Sequence, residues 1–162
     1  MITYVSTFLT QTKQEIEKIL YNEFGETAVV LFLEGAVVYK TDAPIQKVQA
    51  LQCFHNTFVL IDSMENVEVD TTASIVKKLS QTSCKLLVKS LKKNGEDSFR
   101  IVISRENQMQ SIHREILKKI EAKLVNESHF VLNPLKADYE FWFLIRKDGY
   151  AFYGIRITCR KT

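Results

Sequence analysis

The chain has 162 residues, of which 46% are hydrophobic and 25% are charged, a composition typical of folded proteins rather than disordered ones. Its apolar runs are strand-sized, far short of the roughly 20 residues that cross a bilayer, and no secretory signal is visible. We therefore expect a cytoplasmic protein with no membrane partner. The three cysteines are widely separated, which argues against a disulfide framework and against a structural metal site.

The net charge of +3 conceals two regions of opposite sign. Residues 1–65 contain four Lys or Arg against eight Asp or Glu, whereas residues 66–162 contain 18 against 11. The excess of positive charge therefore belongs to the second region. A basic region of this kind is typical of proteins that bind polyanions.

The first region predicts the element order βαββαβ. A capping box at Thr12-Lys13-Gln14-Glu15 starts a helix that Gly25 ends, and Pro44 opens a second helix. The predicted strands are residues 4–8, 28–33, 36–39 and 54–61. This order is the ferredoxin-like arrangement, which we assign to residues 1–63. The polar and acidic segment 63–70 is the predicted linker.

The second region, residues 64–162, predicts a mixture of helices and strands. The predicted helices are residues 75–80, 84–91 and 111–125, and the predicted strands are residues 99–104, 139–145 and a last strand after Asp148-Gly149. The third helix has an apolar stripe, opposite a face of mixed charge that we expect to be solvated. That face carries Arg114, Glu115, Lys118, Glu121 and Lys123. Strand 139–145 is apolar on both sides, which indicates a central strand.

The second region also resembles a THUMP domain. The resemblance rests on Phe99 opening a strand that closes on Arg105, on Ser111 before a helix, and on Pro134 and Asp138 before the aromatic strands. THUMP domains are RNA-binding modules that lie beside the catalytic domains of RNA-modifying enzymes. The resemblance therefore implies an α+β protein, ferredoxin-like and then THUMP-like with a mixed sheet, as in the N-terminal half of guanine-N2 methyltransferases that act on tRNA and rRNA.

The basic residues of the second region are the candidate RNA contacts, because affinity for RNA comes mainly from neutralising phosphates. They are Lys77, Lys78, Lys85, Lys89, Lys92, Lys93, Arg105, Arg146, Lys147, Arg156, Arg160 and Lys161. Trp142, Tyr150, Phe152 and Tyr153 could stack on bases, yet alternating strand positions favour core packing for most of them. Tyr150, beside the turn, is the expected exception.

No catalytic motif is visible. The five glycines form no GxG loop, and the two prolines cannot form the Asn/Asp-Pro-Pro-aromatic motif of guanine-N2 methyltransferases. We therefore expect no cofactor in this chain, with S-adenosylmethionine bound by a C-terminal methyltransferase domain in cis that the chain lacks. Two alternatives stay open: a stand-alone THUMP adaptor that presents tRNA to a separate enzyme, and a protein-interaction module with an acidic binding half.

Overall fold

The computed structural model describes residues 1–25, 28–91 and 97–157. Four of the predicted RNA contacts, Lys92, Lys93, Arg160 and Lys161, lie outside these residues. The chain forms two compact units, one of Met1–Leu60 with the chain from Arg156 onward, and one of Ile61–Ile155.

The first unit contains the predicted order of elements. They are β1 (Ile2–Thr7), α1 (Lys13–Phe24), β2 (Ala28–Leu33), β3 (Ala36–Thr41), α2 (Ile45–Gln49) and β4 (Asn56–Met64). The hydroxyl of Thr12 accepts a hydrogen bond from the Glu15 amide at 3.2 Å, which is the predicted cap. Gly25 follows α1 at φ +74°, a conformation that glycine adopts without a steric cost.

The sheet of the first unit is antiparallel, with the strand order β2-β3-β1-β4. The hydroxyl of Ser6 on β1 lies 2.9 Å from the Tyr39 hydroxyl and 2.8 Å from that of Thr57. All three side chains are buried, and burial raises the pKa of Tyr39. These hydrogen bonds satisfy polar groups inside the sheet, so the core tolerates three buried hydroxyls.

The predicted linker, residues 63–70, begins inside a strand. Strand β4 continues through Ser63 to Met64, and Asp62 accepts a 2.6 Å hydrogen bond from the hydroxyl of Thr82. The polar composition of residues 63–70 did not show that the strand extends into them.

The second unit has a mixed sheet with the strand order β9-β8-β5-β6. Its elements are α3 (Thr72–Leu79), α4 (Lys85–Leu91), β5 (Ser98–Arg105), β6 (Gln108–Met109), α5 (Arg114–Ser128), β7 (Val131–Leu132), β8 (Tyr139–Ile145) and β9 (Ala151–Arg156). Strands β5 and β8 are parallel and β6 is antiparallel to β5. Because parallel neighbours need a crossover, α5 connects them.

Aromatic rings fill the core of this unit. Phe143 stacks on Tyr153 with ring centroids 4.3 Å apart, and Phe99 meets Phe141 edge-on at 5.7 Å. As predicted, β8 is central, and Phe152 and Tyr153 are buried. The Asp148-Gly149 turn is also present, with Gly149 at φ +87°.

Helix α5 starts later than predicted. Its N-cap is His113, whose Nδ1 accepts a hydrogen bond from the Glu115 amide at 3.3 Å, so Ser111 and Ile112 precede the helix. The helix then ends at Ser128, where His129 adopts a left-handed conformation. The prediction of a start at Ser111 was wrong because serine is the commoner cap, and periodicity alone cannot distinguish caps two residues apart.

Candidate nucleic-acid interface

Helices α3 and α4, the helical pair, carry four exposed lysines. The hydroxyl of Thr71 caps α3 by accepting a hydrogen bond from the Ser74 amide at 3.1 Å, and one face of the helix is buried. Lys77 and Lys78 lie exposed in the last turn. Positive charge is stabilising at that end of a helix, where unpaired carbonyls concentrate.

In α4 the lysines are one helical turn apart. Val88 and Leu91 are buried, and Lys85 and Lys89 are exposed at positions i and i+4 of the same face. The helix therefore presents two cations to solvent along one line. A stripe of cations on one face is suited to a phosphate backbone, whose charges are also regularly spaced.

Helix α5 fixes the helical pair through two residues one turn apart. Lys123 donates hydrogen bonds from Nζ to the carbonyl oxygens of Ser80, at 2.7 Å, and of Gln81, at 2.8 Å, just after α3. Glu127 accepts hydrogen bonds from the Cys84 amide at 2.9 Å and from the Ser83 hydroxyl at 3.3 Å, at the start of α4. Hydrogen bonds from α5 therefore fix the end of α3 and the start of α4, the two helices that carry the exposed lysines.

Lys123 corrects the prediction of a wholly solvated α5 face. Its side chain is only about one-third exposed (37%) and joins α5 to the segment after α3. Its carbonyl partners lie more than 40 residues away in sequence, and a helical charge pattern cannot reveal them.

The thiol of Cys84 is buried beside Glu127. Burial and the adjacent Glu127 carboxylate raise the pKa of Cys84 to about 12. The thiol donates to Glu127 across 3.3 Å. Since the thiolate is the reactive form, Cys84 has a packing role beside α4.

Arg105 is bonded to the protein itself. Its Nη1 donates to the carbonyl of Asp70 at 2.8 Å and to the hydroxyl of Thr72 at 3.2 Å, and its Nη2 donates to the carbonyl of Glu68 at 3.3 Å. The guanidinium thus holds the segment that leads into α3. The contact of Arg105 with RNA stays a prediction. In the structure Arg105 also stabilises the segment that leads into α3.

The remaining candidates at the end of β8 and on β9 are Arg146, Lys147 and Arg156, and they differ in their exposure to solvent. Arg146 forms an ion pair with Asp148, with Nη2 and Oδ2 3.0 Å apart, inside the turn between β8 and β9. Lys147 between them is exposed, and Arg156 at the end of β9 is half-buried. Only Lys147 presents a fully exposed cation at this turn.

The carboxylates near the start of β8 bind separate partners. Glu140 pairs with Arg100 and accepts a hydrogen bond from the Trp142 indole at 3.0 Å. Asp138 accepts hydrogen bonds from the amide and the hydroxyl of Ser98, each at 3.0 Å, and these donors lower its pKa. Neither carboxylate is arranged for acid–base chemistry with the other.

Sequence analysis missed one exposed cation near this point. Lys136 lies in the turn that begins at Asn133, beside Leu135 with 90% of its surface exposed. Lys136 was not predicted because it stands alone between apolar residues, outside any cluster of charged residues. Its place two residues after Asn133-Pro134, a turn signal, is the feature of the sequence that could have indicated it.

Within the described ranges, no group of three or more His, Cys, Asp or Glu side chains could hold a metal ion. The helices of the same part of the chain are all too short or too polar to span a bilayer.

No protein-family profile matches the sequence, and no curated protein matches it. Several solved structures are similar. TrmN from Thermus thermophilus matches with a TM-score of 0.64 and 13% identity, over 99% of this chain and 46% of TrmN. A possible methylase from Clostridium difficile 630 matches with a TM-score of 0.59 and 18% identity, over 96% of this chain and 41% of the methylase.

A third structure is a 4-thiouridine synthetase in complex with RNA and ATP. It matches with a TM-score of 0.58 and 15% identity, over 98% of this chain and 42% of the synthetase. The chain thus spans less than half the length of each of these three proteins. At such low identities the likeness concerns the fold, and it supports the THUMP-related α+β fold that the sequence resemblance implied.

Proposed function

We propose that the chain is the RNA-binding part of an S-adenosylmethionine-dependent guanine-N2 methyltransferase that acts on tRNA or rRNA. A ferredoxin-like domain would occupy residues 1–63 and a THUMP-like domain residues 64–162. The role is positional: the chain holds a structured RNA so that one guanine reaches a catalytic domain in the same polypeptide. S-adenosylmethionine would bind in that other domain.

The observation that carries the proposal is the set of exposed lysines on the helical pair. Lys77, Lys78, Lys85 and Lys89 project from two consecutive helices that both pack against α5. Lysine is a flexible point charge, suited to neutralising phosphates without reading a base sequence. These four residues would supply most of the affinity, and the shape of the RNA would supply selectivity.

The proteins with similar structures also support the proposal. They include a possible methylase and a thiouridine synthetase in complex with RNA, so this fold occurs in proteins of both kinds. The βαββαβ order and the antiparallel sheet of the first unit support a ferredoxin-like domain.

The test is the binding of the chain to a tRNA and to an rRNA hairpin across a series of salt concentrations. If phosphates are neutralised, the logarithm of the association constant should fall linearly with the logarithm of the salt concentration, and the four lysines alone should contribute about −3 to the slope. If the chain binds neither RNA at low salt, the proposal is wrong. The downstream reading frame gives a separate check, since a methyltransferase should encode an Asn/Asp-Pro-Pro-aromatic motif there.

A further inference from the structure

Strand β2 lies at the outer edge of the sheet in the first unit. The strand order β2-β3-β1-β4 places it at the end, where, among the described residues, it pairs with β3 alone. Its six residues, Ala28–Leu33, are all apolar, and none is proline. Alternate N–H and C=O groups of an edge strand point away from the sheet and can pair with another extended chain. Because β2 lacks the charged residues and proline that block such pairing, its edge is open to a further strand.

An extra residue in β2 turns two of its side chains to the same face of the sheet. Val29 lies opposite Tyr39 on β3, and Phe32 lies opposite Val37, with the register shifting just after Val29. Tyr39 and Val37 are two residues apart and share one face, so their cross-strand partners share it as well. Val29 and Phe32, three residues apart, therefore point the same way. Bulges of this kind occur at sheet edges and beside binding sites, where they redirect side chains.

Helix α1 and these two side chains line a groove of about 540 Å³. The helix contributes one face, with residues at positions i, i+3, i+4 and i+7. These residues are Gln14, Glu17, Lys18 and Tyr21. The Lys13 ammonium lies 5.1 Å from the centre of the Phe32 ring, a cation–π contact that holds the start of α1 against the strand. The groove therefore runs between a helix and an open strand edge.

Apolar surface in and beside the groove is exposed to solvent. Tyr21 is 60% exposed, Val30 on the edge strand is 53% exposed, and Val29 and Phe32 are partly exposed. The neighbouring strand β3 differs, since its residues 36–39 are all buried. Aromatic side chains such as Tyr21 carry much of the binding energy at protein interfaces. The groove thus combines an aromatic anchor with backbone groups that accept a strand.

We propose that this groove binds an extended protein segment, which adds a strand to β2 and places alternate apolar side chains between β2 and α1. Main-chain hydrogen bonds along the edge supply affinity, and the groove selects every second side chain. The segment is basic, because residues 1–65 contain four Lys or Arg against eight Asp or Glu and Glu17 lines the groove.

The same charge argues against two other occupants. RNA would bring phosphates to a region with an excess of carboxylates, and a second copy of the chain would bring the same excess of negative charge. All residues of the groove belong to the first unit, so the site does not depend on the lysines of the helical pair.

The test uses a synthetic peptide in which valine alternates with lysine, titrated with the full chain and followed by fluorescence anisotropy. One control peptide has glutamate in place of lysine, and a second has N-methylated backbone amides that cannot pair with an edge strand. The valine–lysine peptide should bind saturably. Each control peptide should bind about tenfold more weakly or less, the equivalent of one or two lost hydrogen bonds or charge pairs.

Two substitutions in the chain locate the site. Tyr21→Ala should weaken binding of the valine–lysine peptide about tenfold, and Glu17→Gln about two- to threefold. The matched controls are Leu9→Ala, at an exposed leucine of the first unit, and Glu23→Gln, at an exposed carboxylate of α1 that does not line the groove. Both controls should bind the peptide as the unaltered chain does. Urea unfolding checks that each variant keeps the fold.

Absence of saturable binding, equal binding of the N-methylated peptide, or an unaltered affinity in Tyr21→Ala would each overturn the proposal. Equal binding of the glutamate peptide would overturn the basic character of the partner. A dimer in sedimentation that Tyr21→Ala dissociates would assign the groove to a second copy instead. A loss of RNA affinity in Tyr21→Ala would assign it to RNA.

Discussion

The basic residues of the second unit fall into two groups, the lysines of the helical pair and the arginines at the strand ends. Lys77, Lys78, Lys85 and Lys89 extend into solvent. Arg105 and Arg146 donate hydrogen bonds to carbonyls and carboxylates of their own chain. Positive charge alone therefore does not distinguish a residue that contacts RNA from one that holds the fold, whereas the identity of its partners does.

The two side chains suit these two tasks. The planar guanidinium of arginine has five donors in fixed directions and can bind several carbonyls at once, as Arg105 does. An ammonium on a helix extends into water and keeps its charge available. The predictions below test this division, starting with the arginine that has the most partners.

Replacing Arg105 with alanine should lower the free energy of unfolding by about 2–3 kcal/mol, because charged hydrogen bonds are lost and the carbonyls of Glu68 and Asp70 lose their donor. Urea unfolding measures the change. Arg105→Lys is the control, since it keeps the charge without the fork and should recover only part of the loss. An alanine variant as stable as the original chain would show that Arg105, like the exposed lysines, does not stabilise the fold.

Glu127 binds the start of α4 and is not among the proposed RNA contacts. Glu127→Ala should therefore cost about 1–2 kcal/mol of unfolding free energy through the lost cap at Cys84. Glu121→Ala, on the same helix, is the matched control and should change stability by less than about 0.5 kcal/mol. Equal effects of the two substitutions would show that the hydrogen bonds of Glu127 at the start of α4 contribute nothing to the free energy of unfolding.

Arg146→Ala should cost about 0.5–1 kcal/mol, because its ion pair with Asp148 is partly exposed to solvent. Lys147→Ala should leave the unfolding free energy unchanged and weaken RNA binding instead. Reversed outcomes for these adjacent residues would contradict the division between bonded and exposed cations.

The smallest expected effect concerns pH and the turn at Asp138. Hydrogen bonds from Ser98 lower the pKa of Asp138 in the folded chain, so its contribution to stability is present at neutral pH and is lost as the pH falls below about 4. Asp138→Asn should therefore make unfolding in urea less sensitive to pH in that range. Ser98→Ala should produce part of the same change, and a pH dependence unaltered in both variants would contradict the assignment.

Local pattern was enough to predict much of the fold. Thr12 caps its helix as expected, and β2 and the turn at Gly149 lie where the sequence places them. These features depend on neighbouring residues. The parallel pairing of β5 with β8 and the antiparallel pairing of β5 with β6 agree with the mixed sheet that the resemblance implied.

The partners of charged side chains could not be predicted. Arg105 binds a carbonyl 35 residues away, and Lys123 binds two carbonyls more than 40 residues away. Backbone carbonyls leave no signature in the sequence, so both residues looked like surface charges. Two of the candidate residues at the strand ends, Arg105 and Arg146, therefore have partners within the protein that the sequence could not show.

The most direct test of this account is the salt dependence of RNA binding in a matched set of chains. They are the unaltered chain, a variant with Lys77, Lys78, Lys85 and Lys89 all replaced by alanine, and Arg146→Ala. We expect the four-lysine variant to have a slope less steep by about three, with a free energy of unfolding lowered by no more than about 1 kcal/mol through the charges lost from the end of α3, while Arg146→Ala keeps the original slope. A four-lysine variant that retains the slope of the unaltered chain would contradict the assignment of the helical pair as the RNA-binding surface.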